Sequence, residues 1–179
     1  MKKFLSVLFA GILLLSLVAC GDGGYTVTLT QVCDDNETMS ASVRVGYKAG
    51  TVASETEADE AELINEEKDF SMEFYLYFDD DLYYFADDAK EEDTYKEVKY
   101  SGFDGYMYQC DDYEYEICLY IDKIDEQDVY LFAYVAPGSA LIDMETTDIE
   151  AIFNQKEVQD ILNSIEFEGM KEVKEGKAK

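Results

Sequence analysis

The chain has 179 residues, enough for one domain with a sizeable core. Hydrophobic residues make up 47% and aromatic residues 14% of it, which excludes global disorder. Its 41 acidic and 14 basic residues give a net charge of −27, and a surface this negative excludes nucleic acid as a partner. Because the chain has no histidine, Ser-His-Asp catalysis, Cys-His catalysis and histidine-ligated zinc are excluded too.

The N-terminal twenty residues have the layout of an export signal. Lys2 and Lys3 precede the apolar run Phe4–Val18, whose fifteen residues are fewer than the about 20 that span a bilayer. Its end, Leu17-Val18-Ala19-Cys20, closely resembles the lipobox of bacterial lipoproteins. The resemblance implies cleavage before Cys20, lipidation of that cysteine and a position on the extracytoplasmic face of the cell membrane. An ordinary secreted protein and an uncleaved membrane helix are the alternatives.

The segment after the signal predicts one anchored domain. Residues 20–24 are expected to form a lipid-anchored flexible tether, residues 25–168 a single domain, and residues 169–179 a polar tail. Without residues 1–19, 12 basic and 41 acidic residues remain, a net charge of −29. This acidity is typical of a soluble, aggregation-resistant surface, with attraction of cationic partners as the alternative.

The N-terminal part of the domain predicts a hairpin and then an acidic helix. Tyr25–Val32 and Ser42–Tyr47 both alternate apolar and polar residues, as strands do. Gly46 in the second strand indicates a bulge or a close backbone approach. Ser54–Lys68 is rich in Ala and Glu, with Ala58, Ala61 and Ile64 at helical spacing, so it predicts a short helix or an acidic loop.

From Phe70 onward the pattern is strongly β. Strands are predicted over 70–78, 95–100, 103–110, 114–122 and 129–135, and 82–85 is expected to run back from the first of them. Val129–Val135 is apolar on both faces, which is typical of the middle of a sheet covered on both sides. The predicted fold class is α+β, an antiparallel sheet of about six to eight strands with one C-terminal helix and, at most, one short acidic helix.

The C-terminal helix is predicted over Thr147–Ile165. Thr147 and Glu150 form a capping-box pattern, and apolar residues recur along one helical face. Residues 164–167 predict a last short strand. Over roughly residues 95–168, these strands and the helix ending in Ile161-Leu162-Asn163-Ser164-Ile165-Glu166-Phe167 resemble PsbP-like domains. The resemblance implies an antiparallel sheet packed between helices; it transfers no functional residue, because the family has no catalytic motif to match.

Acidic clusters are the first candidate site. Asp79, Asp80 and Asp81 follow one predicted strand, and Asp111 and Asp112 follow another. Calcium takes six to eight oxygen ligands, which such clusters can supply, but the spacing does not match an EF-hand loop. Solvated acidic loops are the alternative. No resident cofactor is expected.

Arg44 and two cysteines are the other candidates. Arg44 is the chain's one arginine, and among so many carboxylates it predicts a structural ion pair, with an anion clamp as the alternative. Cys110 and Cys118 bracket a hairpin connection and allow a disulfide, although Cys118 shares its strand face with Glu116 and Tyr120. Neither cysteine has a basic neighbour that would make it catalytic.

Fifteen tyrosines and ten phenylalanines, without tryptophan, suit sheet packing or a partner surface. The sequence therefore predicts a lipid-anchored extracytoplasmic lipoprotein with a non-catalytic binding or assembly role, contacting the membrane through Cys20 and an envelope protein or glycan through the domain. A small carboxylate-based cell-wall hydrolase and a calcium-responsive module are the alternatives. A flat tyrosine-rich surface would favour a protein or glycan partner. Two close carboxyl groups with raised pKa values would favour the hydrolase, and oxygen ligands that converge from two acidic loops would favour the calcium module.

Overall fold

The structure, a computed structural model, describes residues 24–32, 39–48, 50–55, 57–79, 83–111, 114–124, 127–137 and 149–172. The predicted signal peptide, Cys20, Asp80, Asp81 and Asp112 lie outside these residues. The described residues form ten strands and three helices: β1 (Gly24–Val32), β2 (Met39–Lys48), β3 (Val52–Glu55), β4 (Glu60–Asn65), β5 (Phe70–Asp79), α1 (Tyr83–Lys90), β6 (Lys96–Tyr100), β7 (Phe103–Asp111), β8 (Glu114–Ile124), β9 (Gln127–Pro137), α2 (Ile149–Phe153), α3 (Lys156–Leu162) and β10 (Glu166–Glu172).

The strands pair in two antiparallel sheets. A small sheet has the order β1-β2-β10, and a large sheet has the order β3-β4-β5-β9-β8-β7-β6. Every pairing is antiparallel, which confirms that part of the prediction. The single sheet of six to eight strands is corrected to ten strands in two sheets, so the fold is more strongly β than expected. The N-terminal hairpin pairs with β10 at the far end of the described chain, and local alternation cannot reveal such a partner.

The predicted acidic helix at 54–68 is wrong, because this segment forms the hairpin β3–β4. Ala61, Leu63 and Asn65 are buried and alternate with more exposed residues, the period of a strand. Pairing of β4 with β5 outweighs the helical propensity of Ala and Glu. The expected return strand at 82–85 is also corrected, since α1 begins at Tyr83.

The C-terminal helix is divided in two. Gln155 has φ −58° and ψ 132°, an extended conformation that ends α2 and precedes α3. Thr147 of the predicted capping box lies outside the described residues. The expected last strand is present as β10, but it continues to Glu172, so residues 169–172 belong to the small sheet and not to a tail.

β9 occupies the centre of the large sheet, fourth of its seven strands, as its two apolar faces predict. We call the face that contacts the small sheet and α2–α3 the inner face, and the opposite one the outer face. Near β4 and β5 the small sheet covers the inner face, where the Thr30 amide donates to the Ala58 carbonyl at 2.7 Å. Near β8 the cover is α2, whose Phe153 packs edge-on against Tyr115 with ring centroids 6.4 Å apart.

Gly46 marks the contact between β2 and the end of α3. A Cβ at this position would lie 3.1 Å from the Cβ of Ser164, whose Oγ accepts a 2.7 Å hydrogen bond from the Gly46 amide. The close approach is therefore confirmed. The β1–β2 register runs past Gly46 without a shift, so the alternative of a bulge is wrong.

Candidate functional site

Arg44 forms an ion pair within the small sheet. Its guanidinium lies 2.5 Å from Glu166 and 3.4 Å from Glu168, both in β10. This confirms the structural ion pair, and an external anion would have to compete with the two carboxylates already in place. The side chains are partly exposed, so the pair contributes at most about 1 kcal/mol to stability.

The disulfide between Cys110 and Cys118 is not formed. Cys118 pairs with Tyr106 across β7 and β8, and Cys110 lies four residues further along β7. Four residues of strand span roughly 13 Å, whereas a disulfide requires Cα atoms within about 7 Å. The register, which only the tertiary structure supplies, therefore separates the two thiols.

The candidate calcium ligands are also separated. Asp79 ends β5 opposite Asp128 at the start of β9, whereas Asp111 ends β7 beside the start of β8, which pairs with the opposite end of β9. About seven residues of strand, roughly 23 Å, lie between the two ends, too far for one ion. Within the part of the chain that the structure describes, no three His, Cys, Asp or Glu side chains are placed to hold a metal.

Aromatic side chains dominate the outer face of the large sheet. We call this surface the outer tyrosine face; it consists of Tyr75, Tyr77, Tyr106, Tyr108, Tyr120, Tyr130, Phe132 and Tyr134. Its rings contact edge-on, with centroids 5.7 Å apart between Tyr75 and Tyr134 and 5.6 Å apart between Tyr120 and Tyr130. Tyr77 and Tyr120 are 44% and 40% exposed. The face is thus an aromatic layer that remains open to partners at these positions.

Glu116 is buried within this aromatic layer, only 6% exposed. The Tyr108 hydroxyl donates to its carboxylate at 3.1 Å, and the phenols of Tyr106 and Tyr134 also interact with it. Burial raises the pKa of Glu116 above its ordinary value, although its interactions with the three tyrosines act to lower it. Sequence reasoning missed this site; the available signal was an acidic residue in the middle of a strand, on the face that it shares with Cys118 and Tyr120.

The strand register extends this site into a row across five strands. Glu62 of β4, Glu73 of β5, Tyr134 of β9, Glu116 of β8 and Tyr108 of β7 are successive cross-strand neighbours. Four strand spacings make the row about 19 Å long. Glu62 directly opposes Glu73, and facing like charges destabilise a sheet. The row thus combines three carboxyl groups and two phenols without a basic side chain.

A cleft of about 610 Å³ lies elsewhere, between β1–β2, the β4–β5 turn and α3. The rings of Tyr25 and Tyr47 stack at its edge, 5.6 Å apart and 25° from parallel. Lys48 and Lys156 both bind Asp160 at the rim, the latter at 2.6 Å. Their hydrogen bonds hold the pKa of Asp160 below its ordinary value. Sequence reasoning missed the cleft because its walls come from four distant segments.

The cleft is balanced in charge. Its lining side chains carry four positive charges and four negative ones: Arg44, Lys48, Lys68 and Lys156 against Glu67, Glu157, Asp160 and Glu166. The whole chain has 14 basic and 41 acidic residues. The cleft is therefore far less negative than the average surface.

Comparisons with known proteins identify no family for this chain. No family model matches it, and no curated protein matches it. A crystal structure of a protein from Bacteroides thetaiotaomicron is similar, with a TM-score of 0.42 and 15% identity over 69% of this chain and 44% of that one. Among the described helices, none has the length and apolar character that crossing a membrane requires.

Proposed function

We propose that this protein is a lipid-anchored extracytoplasmic lipoprotein with a non-catalytic binding or assembly role, and that a partner docks on its outer tyrosine face. The anchor rests on the lipobox-like Leu17-Val18-Ala19-Cys20. Docking rests on one observation, the aromatic outer face with Tyr77 and Tyr120 substantially exposed. Tyrosine is enriched at protein interfaces because a large rigid ring contributes contact area at low entropic cost.

Charge complementarity supports a basic polypeptide segment as the partner. The row contributes Glu62, Glu73 and Glu116, and the Tyr75 hydroxyl donates to Glu73 at 2.9 Å. Lysine and arginine side chains interact favourably with both carboxylates and tyrosine rings. A cation bound between Glu62 and Glu73 would also relieve their repulsion. A row about 19 Å long on a sheet face suits an extended partner better than a small ion.

The arrangement of the carboxyl groups supports a non-catalytic role. A glycosidase needs two carboxyl groups with a sugar between them. Tyr134 lies between Glu73 and Glu116 in the row, and Tyr108 hydrogen-bonds to Glu116 from the other side. Within this row, a tyrosine therefore lies between the two carboxyl groups, where a substrate sugar would have to bind.

Binding of a synthetic lysine- and arginine-rich peptide to the full chain in lipid nanodiscs tests the docking surface. A net charge of −27 attracts any basic peptide, so the variants must leave charge unchanged. We expect Tyr77→Ala with Tyr120→Ala to weaken binding about tenfold, and Tyr25→Ala, equally neutral but in the cleft, to leave it unchanged. Equal binding by the double variant and by Tyr25→Ala would show that the net negative charge alone attracts the peptide, and it would refute docking at this face.

The anchor has its own test. Cells producing the wild-type chain and a Cys20→Ala variant are labelled with a palmitate analogue. We expect label in the wild type and none in the variant, with the wild type in the membrane fraction. Label retained by Cys20→Ala would place the lipid elsewhere and refute this anchor.

A further inference from the structure

We propose that the cleft between β1–β2, the β4–β5 turn and α3 binds a neutral saccharide chain. This site is separate from the outer tyrosine face, so it adds a second binding activity to the proposed function. Its volume of about 610 Å³ lies within the range of about 300–1,000 Å³ that small-molecule sites occupy.

The first argument is the aromatic wall. Tyr25 and Tyr47 are cross-strand partners on the same face of the hairpin as Val27 and Val45, which are buried. The hairpin face that is buried at the two valines therefore becomes exposed at the stacked tyrosines, where Tyr25 is 38% exposed. Its flat ring offers an apolar surface with a polar hydroxyl at the tip, which suits the C–H face of a sugar ring.

The second argument is the mixture of hydrogen-bonding groups. Lys48 and Lys156 offer N–H donors, and Asp160 and Glu157 offer acceptor oxygens. Asn65 keeps one donor and one acceptor site beyond its hydrogen bonds to Thr51 and to the Lys68 amide. A sugar hydroxyl donates and accepts at once, so it matches such a lining better than a simple ion does. Phe70 and Ile161 complete an apolar floor.

The third argument is electrostatic. The lining carries equal positive and negative charge, and its basic groups already have carboxylate partners: Arg44 with Glu166, Lys48 and Lys156 with Asp160, and Lys68 with Glu157 at 3.7 Å. An anion would have to displace one of these carboxylates and approach a chain of charge −27. A cation would be repelled by the lysine side chains of the lining. A neutral ligand neither displaces a carboxylate nor is repelled by a charged group.

Calorimetric titration of the full chain in lipid nanodiscs tests the proposal. The probes are the neutral tetramers of β-1,4-linked glucose and N-acetylglucosamine, the cationic glucosamine tetramer and the anionic galacturonate tetramer. We expect a neutral tetramer to bind most tightly, with a Kd that changes less than about twofold between 20 and 500 mM NaCl, because screening acts on charged ligands. Failure of both neutral tetramers, or tighter binding of a charged one, would overturn the proposal.

Three variants at Tyr25 and Tyr120 assign any binding to the cleft, and a fourth at Asp160 tests the electrostatic argument. We expect Tyr25→Ala to weaken the neutral tetramer at least about fivefold, Tyr25→Phe to restore it, and Tyr120→Ala on the outer tyrosine face to leave it unchanged. Equal loss in Tyr25→Ala and Tyr120→Ala would refute the assignment. Asp160→Asn leaves Lys48 and Lys156 without their shared carboxylate, so we expect it to gain salt-dependent binding of the galacturonate tetramer. Absence of that gain would contradict the electrostatic argument.

Discussion

The two faces of the large sheet are built from the same strands but carry different chemistry. The inner face presents buried apolar residues, with Phe74, Leu119 and Leu131 at most 1% exposed beneath the small sheet and α2–α3. The outer face presents tyrosine rings around the buried Glu116. Because successive side chains of a strand point to opposite faces, each strand contributes apolar residues to the inner face and aromatic or polar residues to the outer face. The difference indicates that the inner face provides most of the stability, while the outer face includes groups that do not stabilise the fold.

Gly105 in β7 tests the frame that both faces share. A Cβ at this position would lie 2.1 Å from the Cys118 carbonyl oxygen in β8. Because that oxygen belongs to the backbone, one of the two strands would have to shift to remove the clash. We expect Gly105→Ala to cost on the order of 5 kcal/mol, enough to remove much of the about 5–15 kcal/mol stability of a typical domain. Urea unfolding measures this, with Gly24→Ala, whose nearest atom would be 3.5 Å away, as control. A Gly105→Ala variant as stable as that control would contradict the close approach of β7 and β8.

Two aromatic residues in β5 compare the faces directly. Phe74 is fully buried on the inner face and Tyr77 is 44% exposed on the outer face. We expect Phe74→Ala to lower the free energy of unfolding by about 3–5 kcal/mol, because it leaves a cavity, and Tyr77→Ala by less than about 1 kcal/mol. Chemical denaturation of both variants checks the contrast. Equal losses would mean that a further layer covers the outer face.

Glu116 tests whether the outer face contains a group that costs stability. Burial raises its folded pKa above the ordinary value of 4.5, so between these two values the folded state holds more protons and its stability falls as pH rises. We therefore expect Glu116→Gln to be more stable than the wild type at pH 7, with the difference closing as pH falls to about 4.5 and below. The three tyrosines around Glu116 have raised pKa values and stay protonated over this range.

Thermal unfolding of both proteins between pH 4 and pH 8 measures the difference. A Glu116→Gln variant less stable at pH 7 would show that the tyrosine hydrogen bonds outweigh the cost of burying the carboxylate. Glu73→Gln, on a more exposed residue of the same row, removes the same charge and is the matched control for this comparison.

Tyr115 provides the smallest test, on the inner face. Its hydroxyl is buried and has no hydrogen-bond partner among the residues that the structure describes. We expect Tyr115→Phe to stabilise the fold by about 1 kcal/mol, since it removes an unsatisfied polar group and keeps the ring against Phe153. This corresponds to roughly 2–4 °C in Tm. Tyr100→Phe, which loses a hydrogen bond from Gln159, should not stabilise; a Tm below wild type in Tyr115→Phe would reveal a partner for that hydroxyl.

Strands with strong alternation were predictable from the sequence, and mixed segments were not. β5, β8 and β9 follow their apolar periodicity, and the two apolar faces of β9 predicted its central position. β4 was wrongly predicted as part of a helix, because Ala and Glu favour helices when no partner strand is considered. Pairing with β5 makes the segment a strand. The break between α2 and α3 contains the extended backbone of Gln155, and no glycine or proline marks it in the sequence.

The candidate sites divide in the same way. The ion pair of Arg44 was predictable because one arginine among so many carboxylates will find a partner. Two other outcomes were not predictable, because each depends on strand register and strand order. These are the separation of Cys110 from Cys118 and the separation of Asp79 from Asp111.

The negative charge, the exclusion of histidine chemistry and most of the strands follow from the composition and the local hydrophobic alternation of the sequence. The tertiary structure alone decided which strands are neighbours. That choice aligned Glu73, Tyr134 and Glu116 in one row and brought α3 against the first hairpin to form the cleft. Alternation is a local property of one strand, whereas pairing and register depend on contacts between residues far apart in the chain.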